Sequence, residues 1–179
     1  RHFAPDGSFA PATEPRPIHL LARGDVLRPG KEVGPSMPSL VQVSPKAIEI
    51  AELANDGERR SAMAEWLTSN SNPLLWRSIV NRVWLRHFGR GLVDTPNDFG
   101  RMGSLPTHPE LLDWLAITFR DSGGSLKSLH RQIVTSATYR QASIYQSEFA
   151  KLDADNRFLW RMNRRRLDAE SIPDAMLQI

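Results

Sequence analysis

Residues 72–89 constrain the fold more than any other stretch of this chain. Asn72-Pro73 is a helix start, an N-cap residue type followed by proline at the first helical position. Gly89 ends the helix, with Gly91 close behind. On a helical wheel Trp76, Ile79, Val80, Val83, Trp84 and His87 make one apolar face, and Leu74, Leu75, Leu85 and Phe88 make another. A helix apolar on most sides belongs at the centre of a fold. Yet this one carries Arg77, Asn81, Arg82 and Arg86. A buried guanidinium needs an anion or carbonyl beside it, because an unpaired buried charge costs several kcal/mol. Asp94 and Asp98 are the nearest acids downstream and are expected to neutralise these arginines.

The flanking segments follow the same helical logic. Ala62, Met63, Trp66 and Leu67 fall at helical spacing in 57–69, after the turn Asn55-Asp56-Gly57. Thr107-His108-Pro109-Glu110 reads as a capping box. The helix it opens runs through Leu111, Leu112, Trp114, Leu115, Ile117 and Phe119, and Gly123-Gly124 stops it. Ser125 caps a further helix with Leu126, Leu129, Ile133, Val134 and Ala137 inward. Residues 142–156 read as a polar connection, followed by a short helix holding Phe158, Leu159 and Trp160. Asp168 is expected to start the last helix, with Pro173 forcing a kink or a shifted start.

Residues 1–45 hold eight of the 13 prolines, which rules out helix there. Ile18 to Leu21 is a candidate extended piece, while Arg23-Gly24-Asp25 and Arg28 to Lys31 read as turns. The chain therefore divides into a proline-rich extended arm (1–45) and a helical domain (46–179), an all-α bundle of four or five helices. It starts at Arg1 and stops within an apparent helix, and is read as a fragment, truncated at its C-terminus, of a longer protein.

Composition narrows the chemistry. With no cysteine, disulfides, thiolate nucleophiles, zinc–thiolate sites and covalent c-type haem attachment are excluded from this segment, and no cofactor is expected in it. The longest uncharged run, Val33 to Pro45, has 13 residues, short of the ~20 that a membrane helix needs. The net charge of +3 comes from 19 Arg and 4 Lys against 20 acids. The basic run Arg157, Arg161, Arg164, Arg165, Arg166 is diluted by Asp153, Asp155, Asp168, Glu170 and Asp174, so nucleic-acid binding is not expected.

Candidate sites are weighed against structural roles. The five histidines show no HExxH or HxH spacing, and a metal centre would need His87, Asp94, Asp98 and His108 brought together by the loop over 89–106. The serines lack a GxSxG context. Gly89-Arg90-Gly91 and Gly100-Arg101-Met102-Gly103 can hold an anion, but their helix-ending role dominates. The five tryptophans read as helical core residues rather than a sugar platform. A haem contact through His87 or Met102 is a further alternative.

The order of these pieces is more specific than any of them singly. Asn72-Pro73-Leu74, Val80-Asn81-Arg82-Val83-Trp84, Phe88-Gly89-Arg90-Gly91-Leu92-Val93, Asp98-Phe99-Gly100 and Pro106 through Ala116 resemble the DUF1553 family, also called the planctomycete PSD1 domain. Ser125-Leu126-Lys127, Ser136 through Gln141 and Arg166 through Ile172 continue the resemblance, which extends over nearly all of 18–179. Trp76 and Pro173 depart from it, standing where a small residue and an arginine are usual. The resemblance implies a large exported planctomycete protein, with cytochrome c-like and DUF1549-like domains as partners, at the periplasm or cell surface. It assigns no activity to particular residues.

Two functional readings follow. In the first, the chain is a non-catalytic helical interaction or structural module that docks on other domains of its parent. In the alternative, a carbohydrate- or anion-binding or hydrolytic site is built around 81–110, lined by Asn81, Arg82, Asp94, Asp98, Arg101 and His108. Such a site needs those groups to converge on a concave pocket.

Overall fold

A computed structural model describes residues 17–34, 36, 55–166, 169 and 171–177. Those residues contain seven α-helices and one two-stranded sheet. The fold is mostly helical, with more helices than the four or five expected, because three of the seven are one- or two-turn pieces. The chain divides into two compact units, residues 1–72 and 73–179. The arm outside 17–34 and 36, and Asp168, lie outside the described residues.

In the first unit, β1 (Ile18–Leu21) pairs antiparallel with β2 (Pro29–Val33), Ile18 opposite Val33. Arg28 to Lys31, read as a turn, instead leads into and forms part of β2. The reversal is made earlier, by the 3₁₀ turn Ala22–Gly24, in which Arg23 has φ 52° and Gly24 φ 79°. Helix α1 (Asp56–Thr68) starts where Asn55 Oδ1 accepts the Glu58 N–H at 2.9 Å. Its apolar residues bury little: Ala62 is buried, while Met63 and Leu67 are exposed.

The second unit is organised by α2 (Pro73–Phe88) packed on α3 (Pro109–Asp121), with α4 (Leu126–Thr135) against both. Helix α2 begins at Pro73 and ends at Gly89, whose φ of 81° a side chain would strain. Its buried residues are Val80, Asn81, Trp84 and Phe88, one face only. Leu74, Arg82 and Arg86 face outward, so the helix is not buried all round and has no interior guanidinium to neutralise. Trp84 and Phe88 stack at 4.2 Å, and Tyr139 meets Phe88 edge-on at 5.7 Å.

Helix α3 buries Leu112, Leu115, Ala116 and Phe119, the i, i+3, i+4, i+7 spacing of one helical face. It ends in a Schellman motif: Gly124 N–H donates to Phe119 O and Gly123 N–H to Arg120 O, both at 3.0 Å. The capping box is not formed. His108, not Thr107, is the N-cap residue, and its side chain makes no cap bond. Thr107 is drawn away by Leu92, whose carbonyl accepts the Thr107 N–H at 2.9 Å.

In α4 Ser125 caps as expected, accepting the Ser128 N–H, but only Leu129 and Ile133 are buried. Leu126 and Val134 are exposed. Helices α5 (Ala137–Arg140) and α6 (Ser147–Leu152) follow. The helix expected around Phe158 to Trp160 is absent. Asn156 and Leu159 have φ of 52° and 55° there. Asn156 is buried and donates to Arg161 O at 2.8 Å and to Asn163 Oδ1 at 2.9 Å, organising an irregular turn. Helix α7 (Ser171–Leu177) starts three residues beyond Asp168, which puts Pro173 in its first turn, where no N–H is needed.

Candidate functional site

The loop over 89–108 carries most of the candidate residues, and hydrogen bonding to α2 fixes its path. Asn81 is fully buried. Its Nδ2 donates to Val93 O at 2.9 Å and its Oδ1 accepts the Val93 N–H at 2.8 Å. The side-chain amide thus pairs with a peptide unit as a neighbouring strand would. Gly91 makes room for it: a Cβ there would lie 2.5 Å from Val93 O and 2.8 Å from Asn81 Oδ1. Leu92 and the anchored Val93 are both buried in the core.

Further along, Thr95 is the organising residue. Its hydroxyl donates to Asp98 O at 2.7 Å and accepts the Ser104 N–H at 2.9 Å. Asp98 Oδ1 accepts the Gly100 N–H at 2.8 Å, an Asx turn. Asp94 accepts both from Nε of Arg90, at 2.5 Å, and from its Nη2. This bidentate pair holds the Asp94 carboxyl below the usual carboxylate range, chiefly through that hydrogen bond. His108 Nδ1 lies 3.0 Å from Thr107 Oγ1, and its ring meets Phe158 edge-on at 5.8 Å.

The expected pairing of Asp94 and Asp98 with the α2 arginines is therefore corrected. Arg77 pairs with Asp113 at 2.6 Å, linking α2 to α3. Arg82 Nη2 donates to Asn97 Oδ1 at 3.0 Å. The acids have nearer partners: Arg90 for one, the loop's own backbone for the other. No hydrogen bond or ion pair joins any two of Asn81, Arg82, Asp94, Asp98, Arg101 and His108. Arg101 is exposed, as is Met102. Among the described residues no group of three or more His, Asp or Glu side chains gathers to hold a metal, so His87, Asp94, Asp98 and His108 do not converge. Not all the tryptophans are helical core: Trp84 is buried, Trp160 lies outside any helix, and Trp114 is 56% exposed.

Two features had no sequence signal. His87 Nε2 and His130 Nδ1 are 2.7 Å apart, joining α2 to α4. One ring must donate and the other accept, so the pair is held together by a single shared N–H. His87 is held below its ordinary pKa, by burial first and then by the charges of His130 and Arg165. The second feature is an open groove of about 360 Å³ at the end of α2, lined by Arg82, Leu85, Arg86, Gly89, Pro96, Asn97 and Arg165. Arg165 donates to the carbonyl of Arg86 across 79 residues of chain, and its stem lies against Gly89. The basic run over 157–166 was legible as charge; its contact with α2 was not.

Fold and loop together define a mostly helical domain, closed by an amide-anchored loop. The chain belongs to the PSD1 family, described as a protein of unknown function (DUF1553), whose family model matches residues 59–179. No curated protein and no solved structure matches the chain. Among the described residues no helix is long and apolar enough to cross a membrane.

Proposed function

We propose that this PSD1 domain is a non-catalytic helical interaction module that docks on other domains of a larger protein. The observation that carries this reading is the fate of the polar residues over 81–110. Asn81 is committed to Val93, Asp94 to Arg90, Asp98 to Gly100 and His108 to Thr107. A catalytic constellation requires acids and bases that converge on a substrate-sized space. Here each of the four has a local partner, and no hydrogen bond or ion pair joins any two of them.

What the domain leaves outward supports the same reading. Trp114 and Ile117, 56% and 49% exposed, sit three residues apart on α3. Residues at that spacing are neighbours on a helix surface, and aromatic anchors of this kind dominate protein interfaces. By family resemblance the partners are cytochrome c-like and DUF1549-like domains of an exported protein, at the periplasm or cell surface. The reading requires no cofactor in the domain itself.

The test is to co-express the domain with the remaining domains of its parent protein and measure association of the purified parts. Association that Trp114→Lys/Ile117→Lys weakens at least tenfold supports docking. Turnover of a polysaccharide or ester by the domain alone, abolished by Asp98→Asn or His108→Gln, overturns it.

A further inference from the structure

We infer that the groove at the end of α2 binds a doubly charged tetrahedral oxyanion, free phosphate or sulfate or a phosphate monoester on a larger molecule. The inference stands apart from the docking reading, since it uses a different surface. Arg82 and Arg86 are one helical turn apart on α2, which places their side chains next to each other. Arg165 arrives from a separate segment and completes a triad of guanidiniums around one cavity.

Five arginines outside the groove are neutralised by an acid. Arg28, Arg60, Arg77, Arg90 and Arg120 each pair with an aspartate. None of these ion pairs uses Arg82, Arg86 or Arg165, and no carboxylate lines the groove. The partners these arginines do have are neutral. Arg82 is oriented by the Asn97 amide oxygen, and Arg165 by the Arg86 carbonyl. A neutral acceptor fixes a guanidinium in place without discharging it, and each guanidinium has five N–H donors to offer. Three like charges held around one open space repel one another, and a bound anion is the group that reverses the sign of that interaction.

The ligand class follows from count and direction. A single carboxylate brings one charge and a planar pair of oxygens, which suits one guanidinium fork. Three guanidiniums approaching from two elements suit an anion with two charges and oxygens pointing several ways. The space of about 360 Å³ exceeds what an inorganic ion fills, and Leu85 and Pro96 give it an apolar wall for the carbon skeleton of an ester.

Titration of the full chain at low ionic strength, by calorimetry, tests this with inorganic phosphate, glucose 6-phosphate and acetate. Saturable binding of inorganic phosphate at one site is expected, with acetate at least tenfold weaker. Tighter binding of glucose 6-phosphate identifies the ester as the source; equal or weaker binding identifies the free ion. Arg86→Gln should weaken phosphate binding at least about tenfold, the loss expected for a charge-assisted contact. This variant keeps the backbone carbonyl that holds Arg165, and an unchanged helical circular dichroism spectrum verifies its fold. Arg82→Gln should act in the same direction, whereas Arg140→Gln, on α5 and outside the groove, should leave binding unchanged. Absence of phosphate binding, equal binding of acetate, or an equal loss in Arg140→Gln overturns the inference.

Discussion

Asn81 shows how one buried amide can replace a secondary-structure ladder. Its two bonds to Val93 satisfy a peptide donor and acceptor that the core would otherwise strand. Asn81→Ala should cost about 3 kcal/mol or more in urea unfolding, because both Val93 groups lose their partner without regaining water. Asn81→Leu should be no better, although it restores volume; full stability in that variant would show that packing, not pairing, is what matters. Gly91→Ala should destabilise by about 1–3 kcal/mol, since its Cβ has no room beside Val93 O and the Asn81 amide. Sequence marked Asn81 as exceptional on an apolar helix and gave it a role only in the alternative reading, as one lining residue of a ligand site. The partner, 12 residues away, is a backbone group and so has no residue type that could announce it.

His87 makes a pH prediction at the same scale. Its folded pKa lies below the ordinary value of 6.5, so the unfolded chain binds the proton more readily. Its contribution is neutral above that value, and stability falls as pH drops through 6.5 towards the folded pKa. The charged or titratable groups it meets are His130, Arg165 and the Tyr139 ring. Unfolding midpoints measured at pH 7.5 and 5.5 should differ more in the natural protein than in His87→Gln. An equal difference in both would assign the pH dependence to other groups.

Among the elements, the helices rest on apolar packing and end signals, with ion pairs as a minor contribution. Arg77 and Asp113 bridge α2 and α3, but their side chains are 37% and 44% exposed. Arg77→Ala should therefore cost no more than about 1 kcal/mol. Phe88→Ala, which empties a site 1% exposed between Trp84 and Tyr139, should cost about 3–5 kcal/mol. Chemical denaturation of the two variants checks the contrast. Local signals were legible in sequence: Pro73, Gly89, Gly123-Gly124 and Ser125 all bound helices as read. Thr107 and the segment over 156–161 were not, because distant carbonyls and amides decide them. Leu92 O takes Thr107, and Gln141 reaches the Leu159 carbonyl at 2.9 Å across 18 residues. Leu159 keeps a left-handed backbone that no leucine prefers, so its conformation is imposed by those neighbours.

For the molecule as a whole, the family and the mostly helical class were readable from the order of motifs, since that order reflects many local signals at once. The outward faces were less so. Helical spacing put Trp114 and Ile117 on a helix, yet spacing alone does not say which of two apolar flanks meets α2. A Trp114→Lys/Ile117→Lys variant should keep the thermal midpoint of the isolated domain within a few degrees, because these side chains are already half in water. A large fall in that midpoint would place them in the domain's own core instead.

The contact between Arg165 and the Arg86 carbonyl has a mechanical consequence. Together with the Asn163 amide, which reaches the Phe88 carbonyl at 3.4 Å, it is how the irregular segment over 163–165 clasps the tail of α2. One wall of the arginine groove is thus supplied by a segment that belongs to no helix: peeling it away would dismantle the cavity while leaving every helix intact.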